Sequence, residues 1–144
     1  MTGSLDKLAS RYAAVALNQT HRQETISDVK AMATQLLKAY RTATHGVLPQ
    51  RIIYLRDGVD EGHYAEIIRH EMIGIRQAAK AVLGDAKQPK ITVIICRKRH
   101  HTRFFNARDS RKRLRPGTVI DTDVTHPVEW DFCKSVPSIA DKES

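Results

Sequence analysis

The stretch Arg51-Ile52-Ile53-Tyr54-Leu55-Arg56-Asp57-Gly58 decides how this chain folds. Its short apolar core, rich in β-branched residues, predicts a buried strand over residues 52–55. Asp57 then stands where that strand leaves its sheet. Ligands of open α/β sheets bind just beyond the carboxyl ends of strands, and a carboxylate there can bind a hard cation such as Mg²⁺. Asp and Gly also favour turns, so a simple turn at Asp57-Gly58 is the competing interpretation.

The segments around this strand alternate between helix and strand patterns. Apolar residues at helical spacing predict one helix from Ile26 to Tyr40 and a second from Tyr64 to Val82. Further strands are predicted at 11–18, 91–96 and 118–121. The order β-α-β-α-β-loop-β predicts an α/β fold with a mixed or parallel sheet and flanking helices.

Length and composition place the chain among single globular domains. Its 144 residues fit one domain, and the apolar fraction of 41% with a charged fraction of 28% is typical of a globular protein. No apolar run approaches the length needed to cross a bilayer, so we expect no membrane partner. Cys96 and Cys133 form neither a disulfide framework nor a zinc-binding pattern. We expect a cytoplasmic protein, with the nucleus as the second possibility.

The positive charge is concentrated in one window. Nine Lys and Arg residues and a single acid, Asp109, lie between Arg97 and Arg115, so this window nets +8, which equals the net charge of the whole chain. A basic stretch of this kind is typical of proteins that bind polyanions. A solvated basic loop without a ligand is the alternative interpretation.

Acidic residues outside this window have structural and functional interpretations. Glu24 precedes the first helix, where a negative charge is favoured by the helix dipole, and it could also supply a second carboxylate beside Asp57. Glu61, Glu66 and Glu71 are predicted to be surface residues of the second helix or its cap.

Taken together, these segments resemble the PIWI domain of eukaryotic Argonaute proteins. The resemblance covers residues 4–132 in order and is strongest at Lys98-Arg99-His100-His101-Thr102-Arg103-Phe104-Phe105. The other matching motifs are Ser10-Arg11-Tyr12-Ala13-Ala14, His21-Arg22-Gln23-Glu24, Arg56-Asp57-Gly58-Val59, Ile75-Arg76-Gln77-Ala78, Pro116-Gly117-Thr118-Val119 and Asp121-Thr122-Asp123-Val124-Thr125-His126-Pro127. Residues 133–144 depart from the family and are predicted to be a divergent, disordered tail.

The resemblance implies an incomplete ribonuclease H-like mixed sheet with flanking helices. In the family, three carboxylates and usually a histidine hold two divalent ions that assist cleavage of the target strand. The resemblance assigns Asp57 and Glu24 to this catalytic, metal-binding set, with Mg²⁺ or Mn²⁺ as the cofactor. The other two positions lie upstream of Ser4 and downstream of Phe132 in the family, so Asp123 is not assigned a catalytic role.

The resemblance also assigns RNA-binding residues. Lys98, Arg99, His101 and Arg103 match positions that face the phosphates and sugars of the guide strand. The implied partners are a small guide RNA, a complementary target RNA and further parts of an Argonaute chain. The predicted function is therefore guide and target RNA binding within a metal-dependent RNA-silencing endoribonuclease, with this chain inactive alone. A stand-alone, non-catalytic nucleic-acid-binding module and a nonfunctional truncation product are the alternatives.

Overall fold

The computed structural model describes residues 1–23, 25–58, 61–85, 88–98, 101–109 and 114–135. The chain divides into two units, Met1–Arg99 and His100–Ser144.

Two helices form the centre of the first unit. Helix α1 spans Val29–Ala43, and helix α2 spans Tyr64–Leu83 after a short 3-10 turn at Glu61–His63. Both helices were predicted from their apolar spacing. Helix α1 begins at Val29 rather than Ile26 because the Asp28 side chain caps it, accepting a hydrogen bond from the Ala31 amide at 3.2 Å.

The strands of the first unit form two separate pairs. Strands β1 (Thr2–Ser4) and β2 (Tyr12–Ala14) are antiparallel, while β3 (Arg51–Asp57) and β4 (Lys90–Cys96) are parallel. Strands β3 and β4 occupy their predicted segments, and β3 extends to Asp57. The prediction that β3 is buried is wrong on one face, because Ile52 and Tyr54 pack against the core whereas Ile53 and Leu55 are 65% and 63% exposed. The strand predicted over 11–18 is shorter than expected, because only its first residues pair with β1.

The core lies between the two helices and the β3–β4 pair. Its buried members are Val29, Ala33, Leu37, Ile75, Ala78 and Ala79. Partly buried residues of the parallel strands, Ile52, Tyr54 and Ile91, pack against them. Gly74 allows a close approach of the helices, since a Cβ there would lie 3.2 Å from both the Lys30 amide nitrogen and the Val29 Cβ. Burial of this apolar seam is the main stabilising contribution to the unit.

The described residues form three two-stranded sheets rather than the single mixed sheet that was predicted. Strands β1 and β3 belong to different sheets, and residues of both line one cavity of about 1150 Å³ whose walls also include Leu36, Leu37 and Ile75. No backbone hydrogen bond joins β1 to β3 among these residues, so the sheet is interrupted between them. In the part of the chain described here, no helix is long and apolar enough to span a membrane.

The second unit contains one short antiparallel pair. Strand β5 (Val119–Ile120) pairs with β6 (Cys133–Lys134), and the Ser135 amide donates to the Thr118 carbonyl at 2.8 Å. The predicted tail began at residue 133, yet Cys133 and Lys134 are held in this pair by backbone hydrogen bonds. Residues 136–144 lie outside the described residues.

Candidate nucleic-acid interface at the carboxyl end of the parallel strands

Asp57 is the last residue of β3 and lies opposite Cys96, the last residue of β4. Gly58 follows with a φ of +73°, a backbone conformation that glycine adopts without strain, and its amide donates to the Cys96 carbonyl at 3.4 Å. Strand β3 therefore ends at Asp57, and the backbone bends at Gly58. The Asp57 carboxylate projects from the carboxyl edge of the parallel pair.

Lys98, two residues beyond β4, contacts this carboxylate directly. Its Nζ lies 2.6 Å from Asp57 Oδ2, and both side chains are exposed, 75% for Lys98 and 58% for Asp57. The hydrogen bond and the charge of Asp57 favour the ammonium form and raise the pKa of Lys98. A residue predicted to bind metal and a residue predicted to bind RNA are thus paired with each other.

Beneath this surface pair lies a buried carboxylate, Glu71 of α2, which is 1% exposed. It accepts hydrogen bonds from the Tyr54 hydroxyl at 2.7 Å, from Arg56 Nε at 3.1 Å and from the Ile26 amide at 3.1 Å. Burial and the hydrogen bond to Glu71 together raise the pKa of Tyr54. The prediction that Glu71 lies on the surface is wrong, because these three donors compensate for its loss of water.

Arg56 connects the buried carboxylate to the backbone of Asp57. Its Nη1 donates to the backbone carbonyl of Asp57 at 2.7 Å while its Nε pairs with Glu71. These contacts hold the backbone at the end of β3 against α2, and the side chain of the same residue, Asp57, pairs with Lys98.

Sequence reasoning missed the role of Glu71, although one signal was present. Glu71 lies four residues after Ile67 and four before Ile75, both of which are buried, and therefore occupies the apolar stripe of α2. A carboxylate in such a stripe requires partners. The sequence does not say that Tyr54 and Arg56 of β3 supply them, because those contacts depend on how α2 packs on the strand.

The remaining predicted site residues fall in different places. Glu24 and Arg99 lie outside the described residues. His101 and Arg103 belong to the second unit, where both are exposed and Arg103 Nη1 donates to the Thr102 carbonyl at 2.9 Å. Phe105, the last residue of the Lys98–Phe105 motif, is 66% exposed.

The described residues do not assemble the predicted metal site. They contain no group of three or more His, Cys, Asp or Glu side chains placed to share an ion. Of the two predicted ligands only Asp57 is among them, and its Oδ2 is paired with Lys98. A two-metal centre needs several oxygen ligands converging on the ions. The described donor set therefore does not fit a two-metal centre.

The family model of the Piwi domain matches residues 1–138. This chain belongs to the Piwi domain family, which confirms the resemblance predicted from its motifs.

Two solved structures of Argonaute proteins are similar to the chain. The C-terminal lobe of a budding yeast Argonaute is 27% identical with a TM-score of 0.68, over 77% of this chain and 25% of that one. The Argonaute of Kluyveromyces polysporus with a guide RNA is 25% identical with a TM-score of 0.74, over 86% of this chain and 17% of that one. The chain thus spans a quarter or less of the length of these structures.

Proposed function

We propose that this chain binds the sugar-phosphate backbone of RNA as part of an Argonaute-type silencing effector, in which a small guide RNA pairs with its target. The observation that carries the proposal is the exposed Lys98 ammonium, which lies at the carboxyl edge of β3 and β4. Lys98 belongs to the basic window between Arg97 and Arg115 of this Piwi-family chain. The similar Kluyveromyces Argonaute was solved with a guide RNA, which supports RNA as the partner.

The chemistry of the window fits backbone contacts better than base reading. Lys98, Arg99 and Arg103 are cations that pair with phosphate, and His101 can donate a hydrogen bond to a phosphate or sugar oxygen. Contacts of this kind position a strand without reading its sequence. A guide-dependent effector requires a protein that binds the strand without reading its sequence, because base pairing with the guide supplies the sequence specificity.

Membership of the Piwi domain family also suggests the sheet, the activity and the metal ligands of the complete domain. We propose that the complete domain has a ribonuclease H-like sheet and that the parent protein is a metal-dependent endoribonuclease. Glu24 and Asp57 would be two of its ligands for Mg²⁺ or Mn²⁺. The resemblance assigns only Glu24 and Asp57 of the four family positions to residues of this chain, so we propose that the chain does not cut RNA by itself.

Salt dependence of RNA binding tests the backbone contacts. The affinity of the purified chain for a short fluorescein-labelled single-stranded RNA would be measured by anisotropy at several KCl concentrations. Lys98→Met and Arg103→Met should each reduce the slope of log K against log salt by about 0.7, because each phosphate contact releases condensed counterions. Lys80→Met is the matched control, because Lys80 is a similarly exposed lysine that also pairs with an aspartate, Asp85.

The two possible results separate the alternatives. A smaller slope for Lys98→Met and Arg103→Met, with an unchanged slope for Lys80→Met, would support the proposed RNA-binding residues. Equal slopes for all four proteins would contradict them.

A separate assay tests the expected lack of cleavage. The purified chain would be incubated with Mn²⁺, a guide RNA and a labelled complementary RNA, and the products would be resolved on a denaturing gel. We expect intact target. Cleavage that is lost in Asp57→Ala would contradict the expectation and would show that the chain assembles an active site.

A further inference from the structure

The contact between Asp57 and Lys98 has a consequence for RNA binding. We propose that Asp57 competes with RNA phosphate for Lys98, so that this carboxylate weakens binding of the RNA backbone at the carboxyl edge of β3 and β4. The inference rests on the proposed function, because it concerns the same RNA-binding surface.

The geometry places the carboxylate where a phosphate would have to bind. Lys98 Nζ already makes a charge-assisted hydrogen bond of 2.6 Å to Asp57 Oδ2. A phosphate that binds the Lys98 ammonium must either displace the Asp57 carboxylate or remain beside it. In the second case the two negative charges lie close together and repel each other. RNA binding therefore loses part of the attraction that Lys98 would otherwise provide.

The backbone that carries Asp57 is fixed, so the residue cannot easily move away from Lys98. Its strand pairs with β4 through the Asp57–Cys96 register, and its own carbonyl accepts a hydrogen bond from Arg56 Nη1 at 2.7 Å. Arg56 is in turn paired with the buried Glu71. The two charges are therefore separated by rotation of the exposed Asp57 and Lys98 side chains and not by movement of the Asp57 backbone.

The size of the effect follows from the exposure of the pair. Ion pairs between solvent-exposed side chains are weak, so removing the competing carboxylate should tighten RNA binding about two- to fivefold at low salt. This gain in RNA affinity should become smaller as salt is added, because counterions screen both the repulsion of phosphate by Asp57 and its attraction to Lys98.

A second surface pair provides a matched control. Lys80 Nζ lies 3.0 Å from Asp85 Oδ1, and their side chains are 66% and 77% exposed. This pair lies at the end of α2, near the start of β4 and away from its carboxyl end. Asp57→Asn and Asp85→Asn each raise the net charge by one and each release a lysine, so they differ mainly in position.

The experiment compares the parent chain with Asp57→Asn, Asp85→Asn, Lys98→Met and the double variant Asp57→Asn with Lys98→Met. The affinity for the labelled single-stranded RNA is measured by anisotropy at low salt in buffer without divalent ions, and Asp57→Ser serves as a second neutral variant. Circular dichroism and thermal melting check that each protein is folded. We expect tighter binding for Asp57→Asn and Asp57→Ser than for Asp85→Asn, and no such gain in the Lys98→Met background.

Two results would overturn the inference. If Asp57→Asn and Asp85→Asn tighten binding equally, the effect is one of net charge alone. If the gain from Asp57→Asn persists in the Lys98→Met background, Lys98 is not the group for which the carboxylate competes. Failure of the proposed function would give a different result from these two, because the parent chain itself would then show no salt-dependent RNA binding.

Discussion

Arg56 Nε lies 3.1 Å from each carboxylate oxygen of Glu71, and both charges are withdrawn from solvent. Glu71 also accepts hydrogen bonds from Ile26 and Tyr54, so one carboxylate joins the approach to α1, strand β3 and helix α2. Removing one partner of such a pair leaves an uncompensated charge in the interior. The pair therefore holds three segments in place even where its net stabilisation is small.

The first prediction concerns removal of the buried carboxylate. Glu71→Leu should lower the free energy of unfolding by about 3–5 kcal/mol, because it removes the carboxylate that compensates the charge of the Arg56 guanidinium. Urea unfolding followed by circular dichroism measures this change. The double variant Glu71→Leu with Arg56→Met should recover much of the loss, since an apolar pair of similar volume removes both charges. A double variant as unstable as Glu71→Leu would locate the cost in the Ile26 and Tyr54 contacts instead.

The second prediction uses the raised pKa of Tyr54, which burial and then the hydrogen bond to Glu71 cause. The folded protein holds the proton of the Tyr54 phenol more tightly than the unfolded chain, in which the pKa of tyrosine is about 10. The stabilising contribution of the phenol is therefore complete below pH 10 and is lost as pH rises above it. The stability advantage of the parent over Tyr54→Phe should be about 1.5–3 kcal/mol at pH 8, the usual value for a hydrogen bond to a charged group.

Unfolding of the parent and Tyr54→Phe at a series of pH values from 8 to 11 checks the direction in which their stability difference changes with pH. The difference between parent and Tyr54→Phe should narrow above pH 10, by up to about 1.4 kcal/mol for each pH unit. Taking the difference removes the titration of lysines, which both proteins share. A constant difference over this range would show that the phenol titrates alike in the folded and unfolded states.

The sequence was sufficient for some parts of this structure and not for others. Apolar periodicity is a local property, so it located α2, β3 and β4 and placed Asp57 at a strand end. Strand β1 was missed because Thr2-Gly3-Ser4 has no apolar alternation and exists only through its pairing with β2. The pairing of Asp57 with Lys98 was not foreseen either, since it joins residues 41 positions apart through the parallel register.

The third prediction concerns Asp6, in the turn between β1 and β2. Its carboxylate accepts hydrogen bonds from the Ser10 amide at 3.0 Å, the Ser10 hydroxyl at 2.8 Å and the Arg11 amide at 3.0 Å. These bonds, the Ser10 amide first, lower the pKa of Asp6 to about 2. A lowered pKa contributes stability that is present above the unfolded value near 4 and is lost as pH falls towards 2.

Carboxyl chemical shifts followed by NMR as a function of pH test this directly. The Asp6 resonance, assigned through its loss in Asp6→Asn, should titrate near pH 2 in the parent chain. Ser10→Ala should move the midpoint upward, because it removes the hydroxyl donor and keeps the backbone donor. A midpoint near the ordinary aspartate value in the parent would show that the turn is not closed by Asp6 in solution.

The fourth prediction concerns the contact between the helices at Gly74. A methyl group there would meet the Lys30 amide nitrogen and the Val29 Cβ at 3.2 Å, and neither backbone nor Cβ can rotate away. Gly74→Ala must therefore push α1 and α2 apart, which should cost about 1–3 kcal/mol, the usual cost of overpacking, despite the better helix propensity of alanine. Gly62→Ala is the matched control, because no atom of the described residues beyond its two chain neighbours lies within 4 Å of its added methyl group. Thermal melting should show a lower midpoint for Gly74→Ala and little change for Gly62→Ala, whereas a Gly74→Ala chain as stable as the parent would mean that the helices are not packed this closely.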